Sequence, residues 1–198
     1  MASVESLNIV QALYIAYYQR PGDPSGLLYW ADRLDTGTPL ADVEAAFGNA
    51  QESQDLYGPI NSSTIGDVID QIYLALFNRA PDAAGKQFYI DGFNAGTFTP
   101  TSIAYNILVG ATGDDAVAVV NKQIVANRFS ETVDGRPFTD PNFGEGSNFD
   151  ATYAGEADAI AARAMIAVTN SQPITIGPVP SGGCQSNSQL SAIGKAEA

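Results

Sequence analysis

A loop rich in glycine, proline and asparagine carries the oxygen-bearing side chains that calcium would need. Calcium in proteins takes roughly six to eight oxygen ligands. The loop lacks the glycine at the sixth position and the glutamate at the twelfth that define an EF-hand. We therefore weigh a calcium site against a solvated acidic loop and favour the loop. The candidate ligands are Asp140, Asn142, Glu145, Asn148 and Asp150.

Aromatic side chains cluster in the first thirty residues and offer a second kind of binding chemistry. The candidate contacts for a sugar are Tyr18, Tyr29 and Trp30, because aromatic faces pack well against carbohydrate rings. Their spacing at helical intervals also fits residues that pack in a core. We favour packing for most of them and expect exposed members to be the carbohydrate contacts.

Two aspartates and two arginines recur in register along the chain. Asp23 and Asp82 fit paired ligands for an ion or a sugar, but a helix N-cap after a tight turn explains both positions and is the interpretation we favour. Arg20 and Arg79 are expected to pair with a nearby carboxylate or with a carbonyl group at the turn. All four residues are therefore predicted to be structural.

The sequence lacks most of the groups that enzymes use. It contains no histidine, its single cysteine is Cys184, and its glycine-bearing segments lack the lysine of a phosphate loop. Carboxylate pairs of the kind found in glycosidases arise by chance in so acidic a chain. We expect a protein that is not an enzyme and that has no cofactor, with calcium as the exception to be tested.

Composition limits the partners of the chain. Its 198 residues are 45% hydrophobic, which is enough for a core, and the formal net charge is -13. Such a charge repels phosphate backbones and anionic bilayers, so nucleic acid is not expected as a partner. No run of 18 apolar residues is present, which predicts no transmembrane segment. The N-terminus lacks the pattern of a cleaved signal peptide.

One unit occurs twice in the first 113 residues. The segment Tyr14-Ile-Ala-Tyr-Tyr-Gln-Arg20 matches Tyr73-Leu-Ala-Leu-Phe-Asn-Arg79, an offset of 59 residues, and Asp23 matches Asp82 at the same offset. A repeat of this length is one supersecondary unit, and two such units are expected to pack against each other.

Each copy is predicted to form three short helices. The first has apolar residues at helical spacing and should end at the Arg-Pro-Gly or Arg-Ala-Pro break, with Arg20 or Arg79 in its last turn. The second should follow the capping aspartate and end at Gly37 or Gly96. The third should open at Thr38-Pro39 and at Thr99-Pro100, in each case a cap followed by proline.

The remaining sequence predicts covering helices and a tail. One helix is expected from Asp114 to Phe129 and another from Glu156 to Thr169, around the loop at 134–150. The fold class is therefore all-α, with two divergent three-helix repeats packed together with further helices and an irregular C-terminal tail. The predicted divisions are 1–58 and 59–113 for the repeats, 114–170 for the covering helices, and 171–198 for a tail or linker rich in glycine, proline and serine.

The repeat resembles a bacterial domain family called DUF4214. The string Tyr73-Leu-Ala-Leu-Phe-Asn-Arg-Ala-Pro-Asp82-Ala-Ala-Gly85 carries the resemblance, and the segment from Tyr14 to Trp30 repeats it. Such domains occur in large exported bacterial proteins, including calcium-binding proteins of the RTX type and the lipopolysaccharide-anchoring region of a surface-layer protein. A fainter likeness is to phycobilisome linker domains.

The resemblance and the composition together imply a non-enzymatic structural protein of a bacterial cell surface. Such a surface-layer or filament subunit, or its anchoring domain, would assemble with copies of itself or dock on surface polysaccharide or lipopolysaccharide. It would be extracellular and exported without a cleaved N-terminal signal peptide. The alternatives are a calcium-dependent carbohydrate-binding module and an intracellular linker or scaffold.

Overall fold

The structure is a computed structural model that describes residues 2–147, 152–153 and 156–174, and all the regular elements in these residues are helical. The predicted all-α fold is confirmed. The first copy contains α1 (Val4–Leu13), which continues into a π-helical turn (Tyr14–Tyr18), and then α2 (Pro24–Asp35), α3 (Leu40–Asn49) and α4 (Gln51–Tyr57). The helices that follow are α5 (Ile65–Phe77), α6 (Ala83–Asn94), α7 (Ile103–Val109), α8 (Gly113–Asp134) and α9 (Glu156–Val168).

The duplication seen in the sequence is present in the helices. Helices α2 and α6 begin and end at the same offset of 59 residues. Asp23 and Asp82 are their N-caps, because each carboxylate accepts a hydrogen bond from the backbone N–H three residues later, at 2.7 Å and 2.8 Å. Gly37 and Gly96 follow the two helices with φ angles of 97° and 79°, as the C-cap pattern predicts.

Several predicted helix ends are wrong by a few residues. The first helices end at Tyr18 and Phe77, where Gln19 and Asn78 take the left-handed conformation, so both arginines lie just beyond the last turn. The third helix of the first copy has Pro39 itself as its N-cap. That of the second copy begins after Ser102, because residues 99–102 form a hydrogen-bonded turn in which the Ser102 hydroxyl accepts from the Thr99 N–H.

The first copy also has a fourth helix that the three-helix unit did not include. Helix α4 follows α3 after one residue, and α8 follows α7 after three residues in the second copy. Helix α8 begins at Gly113, so the predicted division between 113 and 114 falls inside it. The two covering helices predicted from Asp114 and from Glu156 are present as α8, which continues five residues beyond the predicted end at Phe129, and as α9.

One hydrophobic core joins both copies. Helix α1 packs along α2, α5 packs along α6, and α8 contacts α1, α2 and α5. Burial of each large aliphatic side chain contributes roughly 1.5 to 3 kcal/mol, so the shared core stabilises both copies together. Fully buried members from several helices include Leu7, Leu13, Leu27, Val43, Ile69, Ile72 and Ile103.

The helices were compared with the length and hydropathy of a membrane span. Within the described residues, no single helix is long and apolar enough to cross a bilayer. Helices α7 and α8 meet those limits only when they are taken together, and they are bent by 109° relative to each other.

A buried lysine fastens α9 to α8. The Lys122 ammonium is fully buried and donates to the Ile166 carbonyl at 2.6 Å, in the last turn of α9 where a cation is favoured. The neighbouring Asn121 amide donates to the carbonyls of Asn170 and Gln172. Among the described residues no carboxylate forms an ion pair with Lys122, and burial lowers its pKa to about 8.

We expect Lys122 to make stability rise with pH in the mildly alkaline range. The folded state holds the lysine pKa near 8, whereas the unfolded chain has its ordinary value of 10.5, so above pH 8 the unfolded state binds more protons. Buried tyrosines with raised pKa values act in the opposite direction as pH approaches 10, so the effect of Lys122 is read as a difference between two chains. Relative to Lys122→Met, the free energy of unfolding of the unaltered chain should increase by about 1 kcal/mol between pH 8 and 9.5, measured by urea denaturation. A constant difference between the two chains over this range would contradict the assignment.

Candidate functional site

A buried arginine organises the turn that follows the π-helical segment. Arg20 donates from Nε and Nη2 to the two carboxylate oxygens of Glu52 at 2.7 Å and 2.8 Å, and from Nη1 to the Pro21 carbonyl at 3.0 Å. Arg163 of α9 binds the same carboxylate. The Arg20 side chain is 3% exposed. A paired, charge-assisted geometry of this kind is what makes a buried guanidinium tolerable.

Three tyrosine rings surround the Arg20 guanidinium. Its central carbon lies 5.2 Å, 5.3 Å and 4.5 Å from the ring centroids of Tyr14, Tyr18 and Tyr153, which are cation–π distances. The Tyr153 hydroxyl also donates to the Pro21 carbonyl at 2.6 Å. Burial acts to lower the pKa of Arg20, but the hydrogen bond with Glu52 and the nearby charges raise it above its ordinary value. Arg20 therefore stays charged.

The second copy repeats this arrangement on the surface. Arg79 donates to both carboxylate oxygens of Asp115 at 2.8 Å and 2.5 Å and to the Ala80 carbonyl at 2.8 Å, and it lies 5.4 Å from the Tyr73 ring centroid. The Arg79 side chain is 45% exposed. Each arginine thus pairs with a carboxylate in the first turn of the fourth helix of its copy. The sequence predicted the type of pairing but not the partners, because the three-helix unit did not include that helix.

The groups of the Arg20 cluster keep their ordinary protonation states at neutral pH. The tyrosine hydroxyls keep their protons, since burial raises the pKa of Tyr14 and Tyr153 well above the ordinary value and that of Tyr18 to about 12. A guanidinium does not lose its proton in proteins. The arrangement holds the turn at Arg20 against α4 and α9.

The predicted carbohydrate contacts divide into packed and exposed side chains. Tyr18 stacks on Phe47 of α3 with a centroid distance of 5.0 Å, and Trp30 lies 5.6 Å from the same ring. Both are partly buried against the core. Tyr29 is 51% exposed and lies beneath the Arg33 guanidinium at 4.6 Å. Tyr29 is therefore the best candidate of the three for a sugar contact, and that role remains a prediction.

The loop after α8 is ordered by a carboxylate that the sequence analysis did not single out. Asp134, whose side chain has no exposed surface, forms an ion pair with Arg136 at 2.7 Å. It also accepts hydrogen bonds from the Gly144 N–H at 3.2 Å and the Ser147 hydroxyl at 3.0 Å. Asp134 is the first residue of the predicted 134–150 loop, and its partners Gly144 and Ser147 lie ten and thirteen residues further along the chain, so no local pattern marked it.

The candidate calcium ligands are only partly within the described structure. Asp140 accepts from the Asn142 N–H at 2.8 Å in a local turn, and the Glu145 carbonyl accepts from Arg136 at 2.8 Å. Asn148 and Asp150 lie outside the described residues. Among the residues that are described, no three His, Cys, Asp or Glu side chains gather as a metal would require. The calcium site therefore stays a prediction.

Comparison with protein-family models, curated proteins and solved structures found no match to this chain. The resemblance to DUF4214 therefore remains a resemblance of sequence. The geometry defines an all-helical protein with an internal repeat. In each copy, an arginine–carboxylate pair forms at the turn that follows the first helix.

We expect the two equivalent arginines to differ greatly in their effect on stability. Arg20→Met leaves Glu52 without one of its two arginines in a buried cluster and should cost about 3 to 5 kcal/mol. Arg79→Met breaks an exposed pair and should cost about 1 kcal/mol or less. Urea unfolding followed by far-ultraviolet circular dichroism measures both values. Equal losses would show that burial of the Arg20 turn is not important for stability.

A second comparison tests the loop. Asp134→Asn weakens the contacts with Arg136, Gly144 and Ser147 and should lower the free energy of unfolding by about 2 kcal/mol. Asp140→Asn keeps the local turn and should change it by about 0.5 kcal/mol or less. Melting temperatures with and without millimolar calcium show whether the loop binds the ion. A larger loss for Asp140→Asn would contradict the role assigned to Asp134.

Proposed function

We propose that this chain is a non-enzymatic structural protein of a bacterial cell surface, which assembles with copies of itself or docks on surface polysaccharide. The observation that carries the proposal is an apolar stripe on α8. Val117, Val120 and Ile124 recur on one face of this helix, and each is more than 40% exposed. Exposed apolar side chains that are contiguous along one helix mark an interaction surface more often than single ones do.

The charged groups support a structural role. The recurring arginines pair with carboxylates at the start of the fourth helices, and the recurring aspartates cap the second helices, so packing explains why both residue types occur in both copies. The resemblance to domains of exported bacterial proteins supports an extracellular, cell-surface location. Surface polysaccharide or lipopolysaccharide is the proposed partner other than further copies of the chain.

A calcium-dependent carbohydrate-binding module is the second candidate. It is supported by Tyr29, an aromatic ring that is half exposed and has the Arg33 guanidinium on one face. An exposed ring beside a hydrogen-bond donor is a common arrangement for holding a sugar. In this role the protein would stay monomeric.

Assembly is tested by electron microscopy and sedimentation of the purified protein with and without millimolar calcium. We expect regular sheets or filaments, and we expect Val120→Glu to abolish them because it places a charge in the apolar stripe. Ile160→Glu is the matched control, since it adds the same charge at a position on α9 that is 56% exposed. Isolated particles in both conditions would rule out autonomous assembly and favour glycan binding, which is measured next with purified lipopolysaccharide.

A further inference from the structure

The two copies of the repeat differ in what covers the turn that follows their first helix. Arg20 is 3% exposed, whereas its equivalent Arg79 is 45% exposed. One turn earlier, Ile15 is 1% exposed and its equivalent Leu74 is 64% exposed. The same local structure is therefore covered in the first copy and open in the second.

In the first copy, residues from beyond the repeats cover the turn at Arg20. The Tyr153 ring stacks on the Arg20 guanidinium, and its hydroxyl donates to the Pro21 carbonyl. Arg163 donates from Nε to the Tyr18 carbonyl at 3.0 Å. The turn at Arg20 therefore binds a tyrosine side chain, whose ring packs on the guanidinium and whose hydroxyl donates to the Pro21 carbonyl.

The second copy presents the same groups. The Arg79 guanidinium is held by Asp115, and the Ala80 carbonyl occupies the position of the Pro21 carbonyl at the 59-residue offset. In the part of the chain that is described, the aromatic ring within cation–π distance of Arg79 is its own Tyr73, and no tyrosine hydroxyl donates to the Ala80 carbonyl. Helix α9 reaches this turn through the Ala167 carbonyl, which accepts from the Asn78 amide.

We propose that the Arg79 turn is a docking site for a segment of another polypeptide that presents a tyrosine side chain. The ring stacks on the exposed face of the guanidinium, the hydroxyl donates to the Ala80 carbonyl, and an apolar flank of the segment covers Leu74. The occupant is a separate polypeptide because this chain's Tyr153 is already held at Arg20. The site uses no residue of the α8 stripe, so it goes beyond the proposed function and does not depend on it.

A peptide of this chain's own residues 150–165 is the probe, since it contains Tyr153 and Arg163 in the spacing that covers the first turn. We expect the labelled peptide to bind the full chain in fluorescence anisotropy titrations. Binding should weaken about tenfold or more with Arg79→Met, which removes the cation under the ring. The Tyr153→Leu peptide should lose binding to the same extent.

Arg33→Met is the matched control, because Arg33 also lies over a tyrosine ring. We expect this variant to bind the peptide as tightly as the unaltered chain does. Perturbation of the Arg79 Nε–H resonance by the peptide would place the contact. The proposal is overturned if the peptide does not bind, or if it binds Arg79→Met unchanged, because it would then occupy the Arg20 turn.

Discussion

The Arg20 guanidinium lies inside the protein, and a charge in that position must be matched by groups that are themselves held in place. Glu52 is supplied by α4, Tyr14 and Tyr18 by the π-helical segment, and Tyr153 and Arg163 by the region after α8. Parts of the chain that are far apart in sequence are therefore required to meet at one turn. Because an unpaired buried charge is so costly, this constraint selects one packing of α4 and α9 against the first repeat.

The two copies place an arginine–carboxylate pair in two environments, and the comparison shows how burial changes what such a pair contributes to stability. The Arg79–Asp115 pair has similar geometry to Arg20–Glu52, but water competes for it. In the second copy the turn is fixed by local structure, through the left-handed Asn78 and the Asp82 cap. The first copy adds a buried network, and so carries more of the stability of the shared core.

The sequence predicted what depends on neighbours along the chain. The caps at Asp23 and Asp82, the glycine ends at Gly37 and Gly96 and the helical periods follow from local rules. The partners Glu52, Phe47 and Asp134 were missed because their contacts depend on how distant helices pack, which a helical period does not encode. The start of α7 was predicted too early because residues 99–102 form a separate hydrogen-bonded turn, in which the Ser102 hydroxyl accepts from the Thr99 N–H.

Electrostatics limits how copies of this protein can meet. With 22 acidic and nine basic residues, two copies repel each other over a Debye length, which is about 10 Å at moderate salt. Apolar surface such as the α8 stripe provides contacts that this repulsion does not directly oppose, and salt reduces the repulsion itself by screening. It follows that an effect of calcium on assembly does not by itself require a calcium site. Divalent ions screen strongly, and only an effect that monovalent salt at equal ionic strength fails to reproduce points to ligands in the loop.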